Sequence, residues 1–382
     1  MDKPLYRVPL MAEIAAVPWN GFNAISTFSG CGGSSLGYKM AGFKVLWASE
    51  FIPAAQDTYR ANHKETILDT RDIRKVKPQE ILDAIGKQRG ELDLMDGSPP
   101  CASFSTAGLR QSGWGKVKKY SDKSQRTDDL FFEFTRLLTG VHPKVFVAEN
   151  VAGLVKGTAK GYFLEILAAL KACGYRVQCK VLDAQWLGVP QHRERTIFIG
   201  VRNDLSRNPM HPKPLPYRYT VRDALPWIVR VNRKGGDYVD STTQSSPSIL
   251  SSDAYRKESA QLSAAGWVEA ETDISRYAIG AEWDNLKRGE ASEKYFSMRK
   301  PLLDEPCPCV TQTSGVPSAA GVCHPTQKRK FTISELKRIC AFPDDFILTG
   351  TYSQQWERLG RAVPPVMMSH VAATIRDSVL NV

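Results

Sequence analysis

Short apolar runs alternate with helix-periodic stretches through the first half of the chain, and each run ends in a turn carrying glycine or polar residues. That alternation is the rhythm of a mostly parallel α/β sheet. It predicts strands at Asn23–Phe28, Lys44–Ser49, Thr66–Leu68, Leu92–Met95, Lys144–Ala148, Tyr175–Leu182 and Arg195–Val201. Between them the 3.6-residue period predicts helices at Ser34–Ala41, Ala54–Asn62, Gln79–Gln88, Asp128–Leu138 and Gly161–Ala172. In such a sheet ligands sit outside the carboxyl ends of the strands, so the residues that close each strand carry the functional interest.

The pattern breaks after Arg202. Asn208–Tyr219 (NPMHPKPLPYRY) is proline-rich and reads as a connector. From Pro226 to about Thr326 the sequence is irregular, with the serine-rich stretch STTQSSPSILSS and no clean period. This predicts a first domain over 1–225, a smaller irregular domain over 226–325, and a return segment, 326–382, that completes the first. Helical periodicity resumes at Ile333–Cys340 and again at Pro365–Val379, the latter expected to be amphipathic. With 382 residues and 42% hydrophobic composition, the chain has enough apolar material for this arrangement.

The charge balance, 51 Lys and Arg against 40 Asp and Glu, is what a polyanion partner requires and is shared by many other soluble proteins. Cysteines at 31, 101, 173, 179, 307, 309, 323 and 340 are scattered, unlike a secreted disulfide scaffold, so a reducing cytoplasm is expected. Neither a secretory leader nor an apolar run long enough for a membrane span stands out.

At the first strand end, Phe28-Ser-Gly-Cys-Gly-Gly-Ser-Ser-Leu-Gly37 supplies glycines that let the backbone approach a ligand at a helix start. Gly30 and Gly32 lead this loop, but Ser35 stands where a dinucleotide fingerprint needs its third glycine, which disfavours a pyrophosphate. Glu50 closes the second strand, placed to accept from ribose hydroxyls, and Phe51 follows it. An adenine ring between Phe28 and Phe51, with Asp72 accepting from its exocyclic amine, completes an adenosine pocket. Singly, each residue reads as ordinary packing or a surface carboxylate; at three successive strand ends they describe one site.

Asp96-Gly-Ser-Pro-Pro-Cys101-Ala-Ser-Phe-Ser105 closes the fourth strand, with two prolines stiffening the approach to one thiol. A buried structural cysteine is the plain alternative, but a loop position beside rigid residues favours an exposed nucleophile. The glycine-rich, basic stretch GLRQSGWGKVKKYSDKSQR that follows suits a loop closing on a nucleic-acid backbone, or simply a solvated loop. Glu149-Asn-Val closes the fifth strand, and a buried carboxyl there can be protonated and donate. In Gln191-His-Arg193-Glu-Arg195, two arginines spaced by two point to one side of an extended chain. Taken alone these are salt-bridge residues.

Together, F-S-G-C-G-G, S-P-P-C-A-S-F-S, E-N-V and Q-H-R-E-R, in that order, resemble the DNA cytosine-C5 methyltransferase family. The likeness extends to Arg218–Leu225, resumes near Thr311 through HPTQKRKFTISELKRICAFPDDF and ends with Gly360-Arg-Ala-Val-Pro-Pro365. It leaves out residues 1–22 and 226–305, the second of which falls where the family keeps its variable target-recognition domain. The resemblance implies a Rossmann-like, S-adenosylmethionine-dependent methyltransferase sheet and a DNA (cytosine-5-)-methyltransferase of the bacterial or phage restriction-modification type. It implies that cytosine is flipped out of double-stranded DNA, that Cys101 attacks C6, that Glu149 holds N3 and that Arg195 holds the C2 carbonyl, with Arg193 in support. Phe28, Gly30, Gly32, Glu50, Phe51, Asp72, Ile73, Pro99, Leu130, Ala362 and Val363 would line the S-adenosylmethionine site. A cytoplasmic monomer is implied, with any cognate restriction endonuclease acting separately and no metal. The chain departs from the family pattern at Ser26 and Thr27, at Ala102 after the nucleophile and at Arg361 after Gly360. The last puts a long cation near the cofactor wall.

Three other readings compete. Methylation of RNA cytosine uses the same chemistry, but the Cys-Phe-Thr tripeptide of that branch is absent. A DNA-binding protein without catalysis would have no reason to keep Cys101, Glu149, Arg193 and Arg195 together. A zinc site at Cys307, Cys309, Cys323 and His324 would use a C-x-C spacing tighter than structural zinc sites prefer.

Overall fold

The structure, a computed structural model, describes residues 3–100, 129–155, 160–226 and 272–381, with Lys118–Tyr120, Lys123–Gln125, Ile228, Arg230–Val231 and Asp237–Tyr238 between them. All seven predicted runs become strands: β1 (Asn23–Thr27), β2 (Lys44–Ser49), β3 (Ile67–Asp69), β4 (Leu94–Gly97), β5 (Val145–Val151), β6 (Tyr175–Asp183) and β7 (Glu194–Arg202). They form one sheet in the order β3-β2-β1-β4-β5-β7-β6. Neighbours run parallel except at β7, which is antiparallel to both β5 and β6. The reason lies in the connection: β6 and β7 are joined by Ala184–Arg193, too short for the crossover a parallel pair needs. The strand order reverses beside β1, so the loops after β1 and β4 open at a switch point, where a ligand crevice forms.

Alternation along the strands divides the apolar residues between two faces. On one, Ala24, Leu94, Val145, Val147, Ile197 and Ile199 pack under helix α1 (Gly33–Met40) and the last helix, α9 (Pro365–Ile375). On the other, Ile25, Met95, Phe146 and Phe198 meet α3 (Pro78–Ile85), α4 (Leu130–Val141) and α5 (Lys160–Ala172). Helix α2 (Pro53–Asn62) links β2 to β3. Contact between α1 and α9 is close enough that a Cβ on Gly37 would meet Met368 Cβ and the Pro365 carbonyl at 2.6 Å. No residue of α9 is exposed, so it is covered on all sides rather than amphipathic, and it ends at Ile375 in a π-turn, Arg376–Leu380.

A third cluster joins Ile14, Cys31 and Leu36 to Val221, Leu303, Val310, Phe331, Leu336 and Trp356. It carries α7 (Ile333–Ile339) and α8 (Tyr352–Arg361), the latter not expected from periodicity. Ile274, Ile279, Leu286, Met298 and Cys323 form a separate small cluster around α6 (Ala278–Asn285), inside the stretch that shows no period in the sequence.

Candidate active site

Beyond β1 the chain turns through Phe28 at φ 54°, Gly30 at φ 57° and Gly32 at φ 91°. A left-handed phenylalanine is costly, and such conformations gather at functional sites. Glu50, 8% exposed, ties this loop to β2: one carboxylate oxygen accepts from the Gly30 amide at 2.8 Å and the other from Ile52 at 2.7 Å. Each oxygen keeps a lone pair for a ligand hydroxyl. Burial pushes the Glu50 carboxyl up, and the backbone donors pull against it. A Cβ on Gly30 would meet nothing within 4 Å, so the loop faces open space there. Phe28, Ile73 and Leu130 share one apolar cluster, and the half-buried Phe51 follows Glu50. Asp72 caps a short 3-10 turn and is held by Arg74 at 3.2 Å, which reaches across to Asp129 at the start of α4. The donors, the carboxylate and the apolar wall fit a nucleoside.

Ala362 and Val363 close the other side. The Val363 carbonyl would stand 2.3 Å from a Cβ on Gly33, so only glycine lets the return segment lie against the start of α1. Arg361, expected as a long cation near the cofactor wall, instead turns back along α8 and pairs with Glu357 at 2.7 Å.

Next to this pocket, β4 leads through Ser98 and Pro99 toward Cys101, which lies outside the described residues, as do Ala102 and most of the basic stretch after it. Glu149 lies on the strand next to the one that leads into the cysteine loop, since β4 and β5 pair directly, Gly97 opposite Ala148. Asn150, to which the sequence reading gave no role, holds that loop: its Nδ2 donates to the Pro99 carbonyl at 3.2 Å.

Glu149 and Arg195 project from the same face of β5 and β7 as diagonal neighbours, with Arg195 Nε 2.7 Å from Glu149 Oε1. Burial pushes the Glu149 carboxyl up, while Arg195, Arg193 and the Ser98 hydroxyl pull it down. A carboxyl held between these influences can change protonation when Arg195 moves. Arg193 shares the side of the strand but not the partner. Only 2% exposed, it donates to the carbonyls of Val310 at 3.1 Å, Gly360 at 2.8 Å and Ala362 at 3.0 Å, and lies 3.5 Å from Cys309 Sγ.

A cavity of about 650 Å³ lined by Arg89, Glu91, His142 and Arg202 lies at the opposite, amino-terminal ends of the parallel strands, away from these residues. Among the described residues there is no group of three or more His, Cys, Asp or Glu side chains able to hold a metal, and no helix long and apolar enough to cross a membrane.

The family model for C-5 cytosine-specific DNA methylases matches residues 22–377, from the start of β1 through the end of α9. The chain belongs to that family. As a C-5 cytosine-specific DNA methylase it is a DNA (cytosine-5-)-methyltransferase whose methyl donor is S-adenosylmethionine. Among curated relatives, Type II methyltransferase M1.HphI of Haemophilus parahaemolyticus is 32% identical over 351 residues, spanning 92% of this chain and 86% of its own. M.PspPI of Psychrobacter sp. is 31% identical, spanning 92% and 78%. In fold, this methylase is similar to a prophage-encoded Escherichia coli protein assigned as a DNA modification methyltransferase, with TM-score 0.67, 22% identity and coverage of 95% of this chain and 100% of that one. Spodoptera frugiperda DNMT2 superposes with TM-score 0.57 at 19% identity, over 91% and 98% of the two chains.

Proposed function

We propose that this methylase modifies C5 of a cytosine flipped out of a specific double-stranded DNA sequence, through a covalent bond between Cys101 Sγ and C6 of the base. The Glu149–Arg195 pair carries this reading: a buried carboxyl on β5, the strand next to the one that leads into the cysteine loop, held 2.7 Å from the half-buried Arg195 guanidinium of β7. As cytosine enters, Arg195 transfers its donors to the C2 carbonyl and Glu149, protonated, donates to N3, which draws electron density from C6 and favours thiolate attack there. Attack leaves C5 electron-rich. S-adenosylmethionine, when bound there, would supply C5 with an electrophilic methyl group, the S–CH3 bond breaking to leave a neutral thioether. Loss of the C5 proton then re-forms the C5–C6 double bond and expels Cys101. Glu50, the Gly30 and Gly32 backbone, Phe28, Phe51, Asp72, Ile73, Pro99, Leu130, Ala362 and Val363 would hold the donor. Arg193 acts as a positioning residue, fixing the return segment against the site. Cost of unstacking the base, a few kcal/mol, is met by contacts to the duplex.

Residues 226–325 serve as the target-recognition domain in this reading, inserted between the first 225 residues and a return segment that completes the catalytic domain. The separate small cluster around α6 and the packing of α9 on α1 support that division. The Type II names of the relatives support a restriction-modification role; in this reading the methylase is a cytoplasmic monomer and the endonuclease a separate protein.

The deciding assay incubates the protein with tritiated S-adenosylmethionine and mixed-sequence duplex DNA, with tRNA in parallel, followed by bisulfite sequencing. Label in 5-methylcytosine at one recurring DNA sequence is the expected result, and label confined to RNA overturns it. Cys101→Ser is expected to fold normally and abolish transfer; full turnover by that variant removes the covalent step.

A further inference from the structure

The strand that delivers the cysteine carries a second buried carboxyl for which the reaction above has no use. Asp96, 1% exposed in the middle of the sheet, accepts from Ser26 Oγ on β1 at 3.0 Å and from Tyr38 Oη on α1 at 3.0 Å. Ser29 Oγ, in the loop that faces the methyl donor, bonds in turn to Ser26 Oγ at 3.1 Å and to the Ser26 carbonyl at 2.8 Å. Both groups bonded to the carboxyl are hydroxyls rather than cations, so nothing neutralises the charge they stabilise.

Register sets what this carboxyl faces. Asp96 pairs with Val147, and Glu149 lies two residues further along β5 on the same face. Strand spacing and two residues of rise put their backbones about 8 Å apart. Facing Glu149 are Arg195 from β7, Arg193 from the link just before it, the Ser98 hydroxyl and Asp96. Facing Asp96 are Glu149, Ser26, Tyr38 and, from α2, Tyr59, whose hydroxyl donates to Ser35 at 3.0 Å. Burial and the charge of Glu149 push the Asp96 carboxyl up to about 7, against its two hydroxyl donors. Two carboxyls so placed titrate as a pair, and negative charge on one holds the proton on the other.

We propose that Asp96 is a positioning residue for methyl transfer: fixed by Ser26 and Tyr38, it takes the negative charge of a carboxyl pair and so keeps on Glu149 the proton that cytosine N3 requires. This rests on the proposed role of Glu149. In the free enzyme Arg195 favours the Glu149 carboxylate; once Arg195 turns to the base, Glu149 takes a proton from solvent, and the anion at Asp96 opposes its loss.

The test is the pH profile of single-turnover methylation with saturating duplex DNA and S-adenosylmethionine. Activity that needs protonated Glu149 falls on the alkaline side. Asp96→Asn removes the neighbouring charge with little change in shape, so that fall is expected to move toward acid by on the order of one pH unit. Tyr38→Phe removes one donor, disfavours the Asp96 anion and is expected to move it the same way by less. A uniformly lower rate with an unmoved profile in both variants overturns the proposal, since a merely structural defect gives that result. Should Asp96→Asn not fold, Tyr38→Phe decides alone. Glu149→Gln separates the two claims: normal turnover there removes the role of Glu149, whereas crippled turnover beside an unshifted Asp96→Asn profile removes only the inference.

Discussion

At Gly33 an added Cβ would stand 2.3 Å from the Val363 carbonyl oxygen and 3.2 Å from the Phe342 ring. Gly33→Ala must therefore displace either the loop after β1 or the return segment, both walls of the proposed donor site. The expected result is a rise in KM for S-adenosylmethionine on the order of ten-fold, about 1.4 kcal/mol of binding; an unchanged KM would mean the segments yield elsewhere. Arg193→Lys tests the neighbouring contact. A single ammonium cannot span carbonyls on both Val310 and the Gly360–Ala362 turn, so buried acceptors lose their donors. Urea unfolding is expected to show a loss of about 2 to 4 kcal/mol. The R-x-R spacing made the shared side of the strand legible, because alternation is local geometry. It said nothing of reach, and only the fold sends one guanidinium to Glu149 and the other to backbone. Asp96 and Asn150 stayed silent for the same reason: their partners, Tyr38 and Pro99, are 58 and 51 residues away in sequence.

Helix α7 begins with a device visible in the sequence and an environment that is not. Thr332 and Glu335 form a capping box, the Thr332 hydroxyl accepting from the Glu335 amide at 3.2 Å and Glu335 accepting from the Thr332 amide at 2.8 Å. Glu335 is buried and also holds Arg329 at 2.7 Å, with His324 alongside at 3.6 Å. Thr332→Ala is expected to cost about 1 kcal/mol of stability in denaturant unfolding. The pH dependence follows from the two shifts. Burial takes His324 from 6.5 down to about 3, so between those values the unfolded chain binds a proton that the folded chain refuses, and stability falls as pH falls. Arg329 and the cap take Glu335 from 4.5 to about 2, which adds stability above 4.5 that disappears as pH drops through about 2. His324→Asn is therefore expected to lose less melting temperature than the parent on going from neutral pH to pH 5, and an equal loss would mean that His324 already titrates normally.

The seven strands were legible because each is a continuous apolar run ended by a turn. Helix α8 carries the same kind of cap as α7, Thr351 with Gln354, and the cap rather than the period would have found it. The reversed direction of β7 was also encoded, in the length of the link from β6 rather than in any run of residues.

Over the whole molecule the formal charge of +11 changes meaning once DNA is the substrate. Phosphate contacts release counterions, so kcat/KM on duplex DNA is expected to fall steeply between about 50 and 200 mM salt, log against log. A flat profile would mean that the excess charge faces away from DNA. Which base sequence is read is not legible, because readout depends on which side chains reach base edges. Stretch 226–305, which would supply them, has neither a period nor a matching motif.

The closure of the site by its own far end has a consequence during synthesis. The loop at Gly30–Gly33 leaves the ribosome long before Val363 and α9, Val363 following Gly33 by 330 positions. At ordinary elongation rates that interval is roughly tens of seconds. Until then the helix that covers α1 does not exist, and Arg193 has no Gly360 or Ala362 carbonyl to hold. A nascent methylase can thus build its sheet early yet cannot modify DNA until its last helix docks, so translation itself sets the moment at which the enzyme switches on.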